Sequence, residues 1–202
     1  MRKIVVVGLL LLCVSAGAGA QTVDALWADL LAGNKRFVDG RLDYCALQHL
    51  RAATAGGQSP AVSILSCADS RVPVELVFDR SIGELFVVRV AGNVDETFGV
   101  ASLDYAVANG WTKLIVVMGH SDCGAVNAAY KPPKPEELTP ALRLLLARIQ
   151  KAFTTPPRDL REATIMNIDY TARQLRMNPH LKDVTIVKAY YDVATGTVER
   201  IP

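Results

Sequence analysis

Four short and almost continuously apolar segments limit how this chain can fold more than any other feature. They cover residues 61–66, 85–90, 114–118 and 184–189, and each is rich in Val, Ile or Leu. Strands that are apolar on both sides, instead of at alternate positions, are typical of a parallel sheet covered on both faces. We therefore predict an α/β fold with a mainly parallel central sheet of four strands and helices on both faces.

The stretches around these strands predict the covering helices. Helical patterns cover residues 22–38, 73–78, 98–108, 140–153 and 160–177. A turn at Ala194-Thr195-Gly196 predicts that residues 197–201 return as an antiparallel edge strand. The segment 131–140 has four prolines in ten residues, so we predict a surface loop there and not a domain boundary.

The first twenty residues have the pattern of a secretory signal peptide. Arg2 and Lys3 precede an apolar run over residues 4–14, and small residues follow up to Ala20. A run of this length is too short to span a bilayer, which takes about 20 residues. We predict that cleavage follows Ala20.

This prediction makes residues 21–202 a single domain in a periplasmic or secreted protein, with no membrane contact after cleavage. Two alternatives exist for the leader. It could be a buried N-terminal helix, although it has no polar face. It could also carry a lipid at Cys13, although Leu12 stands where lipidation favours a small residue.

Charge and composition exclude several classes of protein. The chain has 22 Lys and Arg against 20 Asp and Glu, and the whole excess comes from Arg2 and Lys3 in the leader. A balanced charge gives no reason to expect a nucleic-acid partner. Half of the residues are hydrophobic and only four of 202 are Cys, which excludes a disordered chain and a disulfide scaffold.

Two polar clusters follow predicted strands. The first is Ser66-Cys67-Ala68-Asp69-Ser70-Arg71, and the second is Gly119-His120-Ser121-Asp122-Cys123-Gly124. If the first stays extended, Cys67, Asp69 and Arg71 share one side of the chain. In the second, a spacing of three predicts His120 and Cys123 on one helical face. The carboxyl ends of parallel strands form the crevice where ligands of open sheets bind.

Two cysteines and a histidine from these clusters make a candidate zinc site. Thiolate and imidazole are the ligands that zinc prefers in a tetrahedral site. Cys45 is the one further cysteine outside the leader, and it lies in an unrelated segment. The fourth position is therefore expected to hold water or an oxygen ligand, as in catalytic zinc sites, and Asp69 is the candidate for that oxygen.

Three sequence blocks resemble the beta-class carbonic anhydrases: CADSRVP, LFVVRVAGN and VMGHSDCGA. The resemblance runs from Gly33 to about Pro179. It implies one Zn²⁺ per chain, held by Cys67, His120 and Cys123, an Asp69–Arg71 dyad, and a homodimer or larger homo-oligomer. It also implies an enzyme that reversibly hydrates carbon dioxide to bicarbonate and a proton.

The dyad is consistent with the chemistry of such a site. Two thiolates cancel the charge of zinc, so a further group should orient the zinc-bound hydroxide, and the Asp69 carboxylate can accept its hydrogen. Arg71 would hold Asp69 away from the metal by a bidentate pair. We therefore expect an open form with Asp69 on Arg71 and a closed form with Asp69 as the fourth zinc ligand.

The resemblance is closest to the plant-like, non-regulated subtype. Four residues match substrate-contacting positions of that subtype: Gln58, Phe86, Tyr105 and Gly124. Trp27 and Trp111 are not placed to match the tryptophan of the regulated members. Ala91 departs from the subtype, which has a valine in the pocket.

Two other functions remain open at the level of sequence. One is hydrolysis of carbonyl sulfide or carbon disulfide on the same fold, since the same nucleophile could attack these linear molecules. The other is a non-catalytic zinc-binding protein. The Asp69–Arg71 pair argues against the second, because a structural zinc site has no use for it.

Overall fold

The computed structural model describes residues 21–43 and 47–202. The predicted leader over residues 1–20, its cleavage after Ala20, and Cys45 lie outside the described residues. The helices are α1 (Val23–Val38), α2 (Leu47–Thr54), α3 (Val74–Val77), α4 (Thr97–Ala108), α5 (Gly124–Tyr130), α6 (Pro140–Gln150) and α7 (Leu160–Met177). The strands are β1 (Val62–Ser66), β2 (Leu85–Arg89), β3 (Leu114–His120), β4 (Thr185–Tyr191) and β5 (Val198–Ile201).

The five strands form one sheet in the order β2-β1-β3-β4-β5. The first four are parallel, and β5 pairs antiparallel to β4. Val62 lies opposite both Leu85 and Leu114, so the central strands start in register. The predicted α/β fold, with four parallel strands and one antiparallel edge strand, is confirmed.

Each face of the sheet carries its own hydrophobic core. On one face, Leu26 and Leu30 of α1 pack with Ile64 and Val116. On the other face, Leu103 of α4 and residues of α7 pack with alternate strand positions such as Leu65 and Val117. Neighbouring side chains of a strand point to opposite faces, and helices cover both faces. The central strands are therefore buried at every position.

A third cluster lies beside the carboxyl ends of β1 and β3. It joins Cys67 and Cys123 to apolar side chains of α5 and α6, among them Val126, Leu146 and Ile149. Gly92 allows the close packing here, since its φ is +67° and an added Cβ would lie 2.8 Å from Ile149 Cδ1. This cluster packs around the predicted ligand residues at the carboxyl end of the sheet.

Helix ends follow local chemistry. The side chains of Thr22, Thr139 and Asp159 cap α1, α6 and α7 by accepting hydrogen bonds from backbone N–H groups of the first turn. The proline-rich segment contains one short 3₁₀ turn and is exposed over residues 131–137, as predicted for a surface loop. In the part of the chain that is described, no helix combines the length and apolarity needed to cross a membrane.

Candidate metal centre

The carboxyl edge of the sheet brings three ligand side chains together. Cys67 follows β1, His120 is the last residue of β3, and Cys123 stands directly before the first residue of α5. Because β1 and β3 are parallel neighbours, their carboxyl ends meet at this edge. The ligand atoms of the three residues lie within 4.8 Å of one another, and the two sulfurs are 3.9 Å apart. The structure thus assembles the predicted ligand set.

The local path between His120 and Cys123 differs from the prediction. His120 belongs to the strand and α5 begins only at Gly124, so the two residues do not share a helical face. Asp122, with a φ of +53°, provides the sharp turn between them. The strand runs on because Gly119 and His120 pair with Tyr190 and Tyr191 of β4, a long-range contact that local spacing does not reveal.

Both sulfurs are buried but differ in their proton affinity. The thiol of Cys123 lies within hydrogen-bond distance of Cys67, which lowers the pKa of Cys67 and raises the pKa of Cys123. The Gly92 N–H donates to Cys67 Sγ at 3.2 Å and further favours the Cys67 thiolate. Two adjacent cysteines in this state are suited to a cation that would take both as thiolates.

His120 is fully buried and presents one ring nitrogen to the centre. Its Nδ1 lies 2.9 Å from the Ser121 carbonyl oxygen, which can only accept, so Nδ1 carries the hydrogen. Nε2 then has a free lone pair. This buried atom has no hydrogen-bond partner among the described residues. A metal ligand whose other ring nitrogen is fixed by a carbonyl has this arrangement.

The donor set fits zinc. Two sulfurs on a tetrahedral zinc at about 2.3 Å each would stand about 3.8 Å apart. The observed separation of 3.9 Å between the Cys67 and Cys123 sulfurs is close to that value. Two thiols and an imidazole nitrogen with a free lone pair also match the ligand preference of this metal. The three residues can therefore hold a metal ion.

Asp69 and Arg71 form the predicted pair beside the ligands. Arg71 donates from Nε to Oδ1 at 3.0 Å and from Nη2 to Oδ2 at 2.8 Å. The Arg71 guanidinium holds the pKa of Asp69 well below its usual range. Asp69 Oδ2 also lies 3.8 Å from His120 Nε2, so the carboxylate borders the ligand cluster while Arg71 holds it.

The chain between Cys67 and Arg71 is not extended, so the condition for placing Cys67, Asp69 and Arg71 on one side of a strand is not met. The backbone N–H of Arg71 donates to Asp69 Oδ1 at 2.9 Å, and that of Val72 donates to the Asp69 carbonyl at 3.0 Å. This tight turn folds Arg71 back onto Asp69. Asp side chains favour such turns because they hydrogen-bond to the backbone two residues further on.

Arg89, at the end of β2, is a residue that sequence reasoning missed. Its Nε–H donates to the Cys67 carbonyl at 3.1 Å, and its Nη2 donates to the Asp69 carbonyl at 2.6 Å. One guanidinium thus clamps the backbone on both sides of Ala68. The available signal was its place at the carboxyl end of a strand that neighbours β1.

The predicted substrate residues are spread along the chain. Gln58 is exposed ahead of β1, and Gly124 begins α5 next to Cys123. Phe86 and Tyr105 both contact the ring of Trp111, with centroids 6.5 and 5.5 Å away. Their role in binding substrate stays a prediction.

The register of the sheet separates Phe86 from the metal ligands of its own chain. Phe86 pairs with Ser63, which precedes Cys67 by four residues. At about 3.3 Å per residue, the two positions are about 13 Å apart along the sheet. Among the four predicted substrate residues, only Gly124 is next to a candidate metal ligand in sequence, since it follows Cys123.

Comparisons with known proteins agree with this geometry. The family model described as "Carbonic anhydrase" matches residues 62–198. Carbonic anhydrase 2 of Mycobacterium tuberculosis is 49% identical over 107 residues, which are 52% of this chain and 51% of that protein. The chain thus aligns with about half the length of this curated relative.

Solved structures resemble the whole fold. A tetrameric beta-carbonic anhydrase of Sordaria macrospora is 21% identical with a TM-score of 0.69, over 87% of this chain and 96% of that one. A carbon disulfide hydrolase is 24% identical with a TM-score of 0.51, over 82% of this chain and 90% of that one. The family match spans both ligand clusters, and with these structures it shows that the chain belongs to the beta-class carbonic anhydrase family.

Proposed function

We propose that this chain catalyses the reversible hydration of carbon dioxide to bicarbonate and a proton, with one zinc ion held by Cys67, His120 and Cys123. The observation that carries the proposal is the Asp69–Arg71 pair, whose carboxylate lies 3.8 Å from the free ring nitrogen of His120. A purely structural metal site would not need an ionised carboxylate beside its ligands. The name of the M. tuberculosis relative points to the same activity.

When bound, zinc supplies Lewis acidity that lowers the pKa of a water molecule in its coordination sphere. The chain's residues then organise the reaction. Asp69 accepts a hydrogen bond from the attacking oxygen. This bond orients a lone pair of that oxygen toward carbon dioxide. Arg71 keeps Asp69 ionised and in place through its two parallel hydrogen bonds.

Arg71 also decides between two states of the carboxylate. The described arrangement, with Asp69 on Arg71, corresponds to an open centre. In the closed form that we propose, Asp69 leaves Arg71 and becomes the fourth ligand. The guanidinium is itself anchored, since its Nη2 donates to the Asp122 carbonyl at 3.0 Å. This anchor favours the open arrangement.

We further propose a homodimer or larger homo-oligomer of the plant-like subtype. Phe98 and Tyr105 of α4 are 80% and 55% exposed, which makes this face a surface that a second copy would cover. A second copy would also place Phe86 and Tyr105 near a metal centre, and the register of β1 and β2 separates Phe86 from the ligands of its own chain. The similar structure from S. macrospora is described as tetrameric.

The leader pattern supports a periplasmic or secreted location, with residues 21–202 as one domain after cleavage. The matching numbers of acidic and basic residues outside the leader give no reason to expect a nucleic-acid partner, and they are compatible with a small uncharged substrate. N-terminal sequencing of the exported protein would test the cleavage site, and a mature chain that begins at Gln21 is the expected result.

Hydrolysis of carbon disulfide is a second candidate, because one similar structure is a carbon disulfide hydrolase. The test is stopped-flow carbon dioxide hydration on the zinc-loaded protein, together with sulfide release from carbon disulfide and a measurement of metal content. We expect about one zinc per chain and hydration without sulfide release. Full zinc occupancy without hydration would overturn the main proposal, and sulfide release would favour the second candidate.

A further inference from the structure

A groove lies between α7 and β4, lined by none of the metal-centre residues. It encloses about 390 Å³ and is lined by Ala152, Thr154, Met166, Asp169, Arg173, Arg176 and Lys188. A second cavity of about 340 Å³ shares Arg176 and Lys188 and adds Arg200. We call the first cavity the α7–β4 groove. Its volume lies within the range of about 300–1,000 Å³ that is usual for small-molecule sites.

Positive charge in the α7–β4 groove exceeds negative charge. Arg173, Arg176 and Lys188 face one acidic residue, Asp169, which pairs with Lys188 at 2.6 Å. Within residues 21–43 and 47–202, no carboxylate lies within salt-bridge distance of Arg173 or Arg176. Arg173 and Arg176, three residues apart on α7, therefore have no ion-pair partner among the described residues.

Tyr170 allows a direct comparison of two guanidinium groups. Arg148 lies 4.5 Å and Arg173 5.9 Å from the centroid of the Tyr170 ring. Arg148 is neutralised by an ion pair with the largely buried Asp95. Arg173 shares the ring but has no such partner in the described part of the chain. Of the two guanidinium groups, Arg148 has a carboxylate partner, whereas Arg173 lines the groove without one among the described residues.

The hydrogen-bond donors in the groove are largely free as well. Arg176 uses Nη2 to donate to the Ile186 carbonyl at 3.0 Å, which fixes the guanidinium against β4. Arg173 makes no hydrogen bond to any described residue, so its fork of donors is available. A fixed and a free guanidinium beside an ammonium suit bidentate recognition of phosphate oxygens.

We propose that the α7–β4 groove binds a small, multiply charged anion of the phosphate or pyrophosphate class, at a site separate from the metal centre. A multivalent anion would neutralise Arg173 and Arg176 together and accept from both. A single chloride ion would satisfy only one of these groups. The size of the groove allows a ligand larger than inorganic phosphate.

The experiment is isothermal titration calorimetry of the zinc-loaded full chain with inorganic pyrophosphate at low ionic strength. We expect saturable binding that weakens as salt rises. Arg173→Gln should weaken it at least fivefold, and the double change Arg173→Gln with Arg176→Gln at least twentyfold. Arg143→Gln on α6 is the matched control, since Arg143 is exposed and does not line the groove.

Arg176 also contacts the backbone of β4, so the double variant could unfold. The single variant Arg173→Gln removes no hydrogen bond to a described residue, so it is expected to fold. A thermal unfolding midpoint equal to that of wild type would confirm this. A lack of saturable pyrophosphate binding at concentrations up to about 10 mM would overturn the proposal. Equal binding by wild type and Arg173→Gln would overturn it too, as would binding only to phosphatidylglycerol vesicles and not to pyrophosphate.

Discussion

The metal centre and the α7–β4 groove both collect side chains with unused hydrogen-bonding capacity, but one is buried and the other is open to water. At the metal centre, His120 Nε2 is completely buried and has no partner in the described chain. In the groove, Arg173 is exposed and its donors reach solvent. A buried polar atom without a partner costs about 1–3 kcal/mol, whereas water satisfies an exposed one.

The metal centre therefore depends on its ligand more strongly than the α7–β4 groove does. The geometry of the metal centre is set by three elements, by hydrogen bonds donated to Cys67 and Asp69, and by the bond that His120 donates to the Ser121 carbonyl. The groove has one fixed cation and one free cation on a single helix face. We therefore expect substitutions at the metal centre to have large effects and substitutions in the groove to have small effects on everything except anion binding.

The largest effect is expected from Cys67→Ser. A serine hydroxyl is a poor zinc ligand, so the variant should lose nearly all its metal and its hydration activity. Metal analysis after dialysis measures the first, and stopped-flow hydration the second. Cys45→Ser is the control and should keep one zinc per chain. A Cys67→Ser protein that stays fully zinc-loaded would refute the ligand assignment.

Asp69→Asn should leave the metal and remove the negative charge that orients the nucleophile. We expect zinc content close to that of wild type and a fall in kcat of about 10²–10³-fold, typical of a lost acid–base or orienting group. Asp183→Asn serves as a charge-matched control, since Asp183 is exposed and lies outside the ligand cluster. An Asp69→Asn enzyme with the full rate would show that the carboxylate does not take part in the reaction.

A smaller effect is expected at Arg89, which positions Cys67 and Asp69 through their carbonyl groups. Arg89→Gln should lower kcat about tenfold with KM little changed, and it should speed zinc loss to a chelator. Arg89→Lys keeps the charge and one donor, so partial recovery of both properties is expected. If zinc release and kcat stay at wild-type values in Arg89→Gln, the clamp has no role at the site.

The smallest effect on folding and catalysis is expected from Arg173→Gln in the groove. Exposed substitutions usually change stability by no more than about 0.5 kcal/mol. We expect zinc content, kcat and the unfolding midpoint to match wild type, while pyrophosphate binding weakens. Chemical denaturation and stopped-flow hydration measure this. A large loss of stability would show that Arg173 supports the fold, which would remove the contrast between the two regions.

Much of the fold could be predicted because the strands are apolar at nearly every position. The predicted bounds of all four parallel strands lie within two residues of the observed bounds, and the predicted bounds of α7 equal the observed ones. The helix α2 was missed because Leu47–Thr54 contains polar residues and has no clear end signals. The strands β3 and β4 extend further than predicted because they pair with each other beyond Met118.

The ligand residues could be predicted from residue type and from their place after strands, but their geometry could not. An extended path from Cys67 to Arg71 is one option at the level of sequence, whereas in the structure the Asp69 side chain accepts from the Arg71 N–H within a turn. The clamp by Arg89 reaches carbonyl groups 22 and 20 positions away, and the place of Arg89 at the end of β2 indicates such a contact only once β2 is known to lie beside β1. The signal peptide and the part played by Cys45 stay predictions.

Hydrophobic period and side-chain chemistry are local properties, so they predict the fold class and the ligand types, while the resemblance of three sequence blocks to a known family adds the Asp69–Arg71 dyad. The packing of distant segments selects which atoms meet. This packing buries His120 with Nδ1 on a carbonyl and sets the two sulfurs 3.9 Å apart. Among the described residues, it leaves His120 Nε2 without a hydrogen-bond partner and gives Arg148, but not Arg173, a carboxylate partner. These outcomes depend on contacts between distant segments, whose distances and burial are set when the sheet and helices pack together.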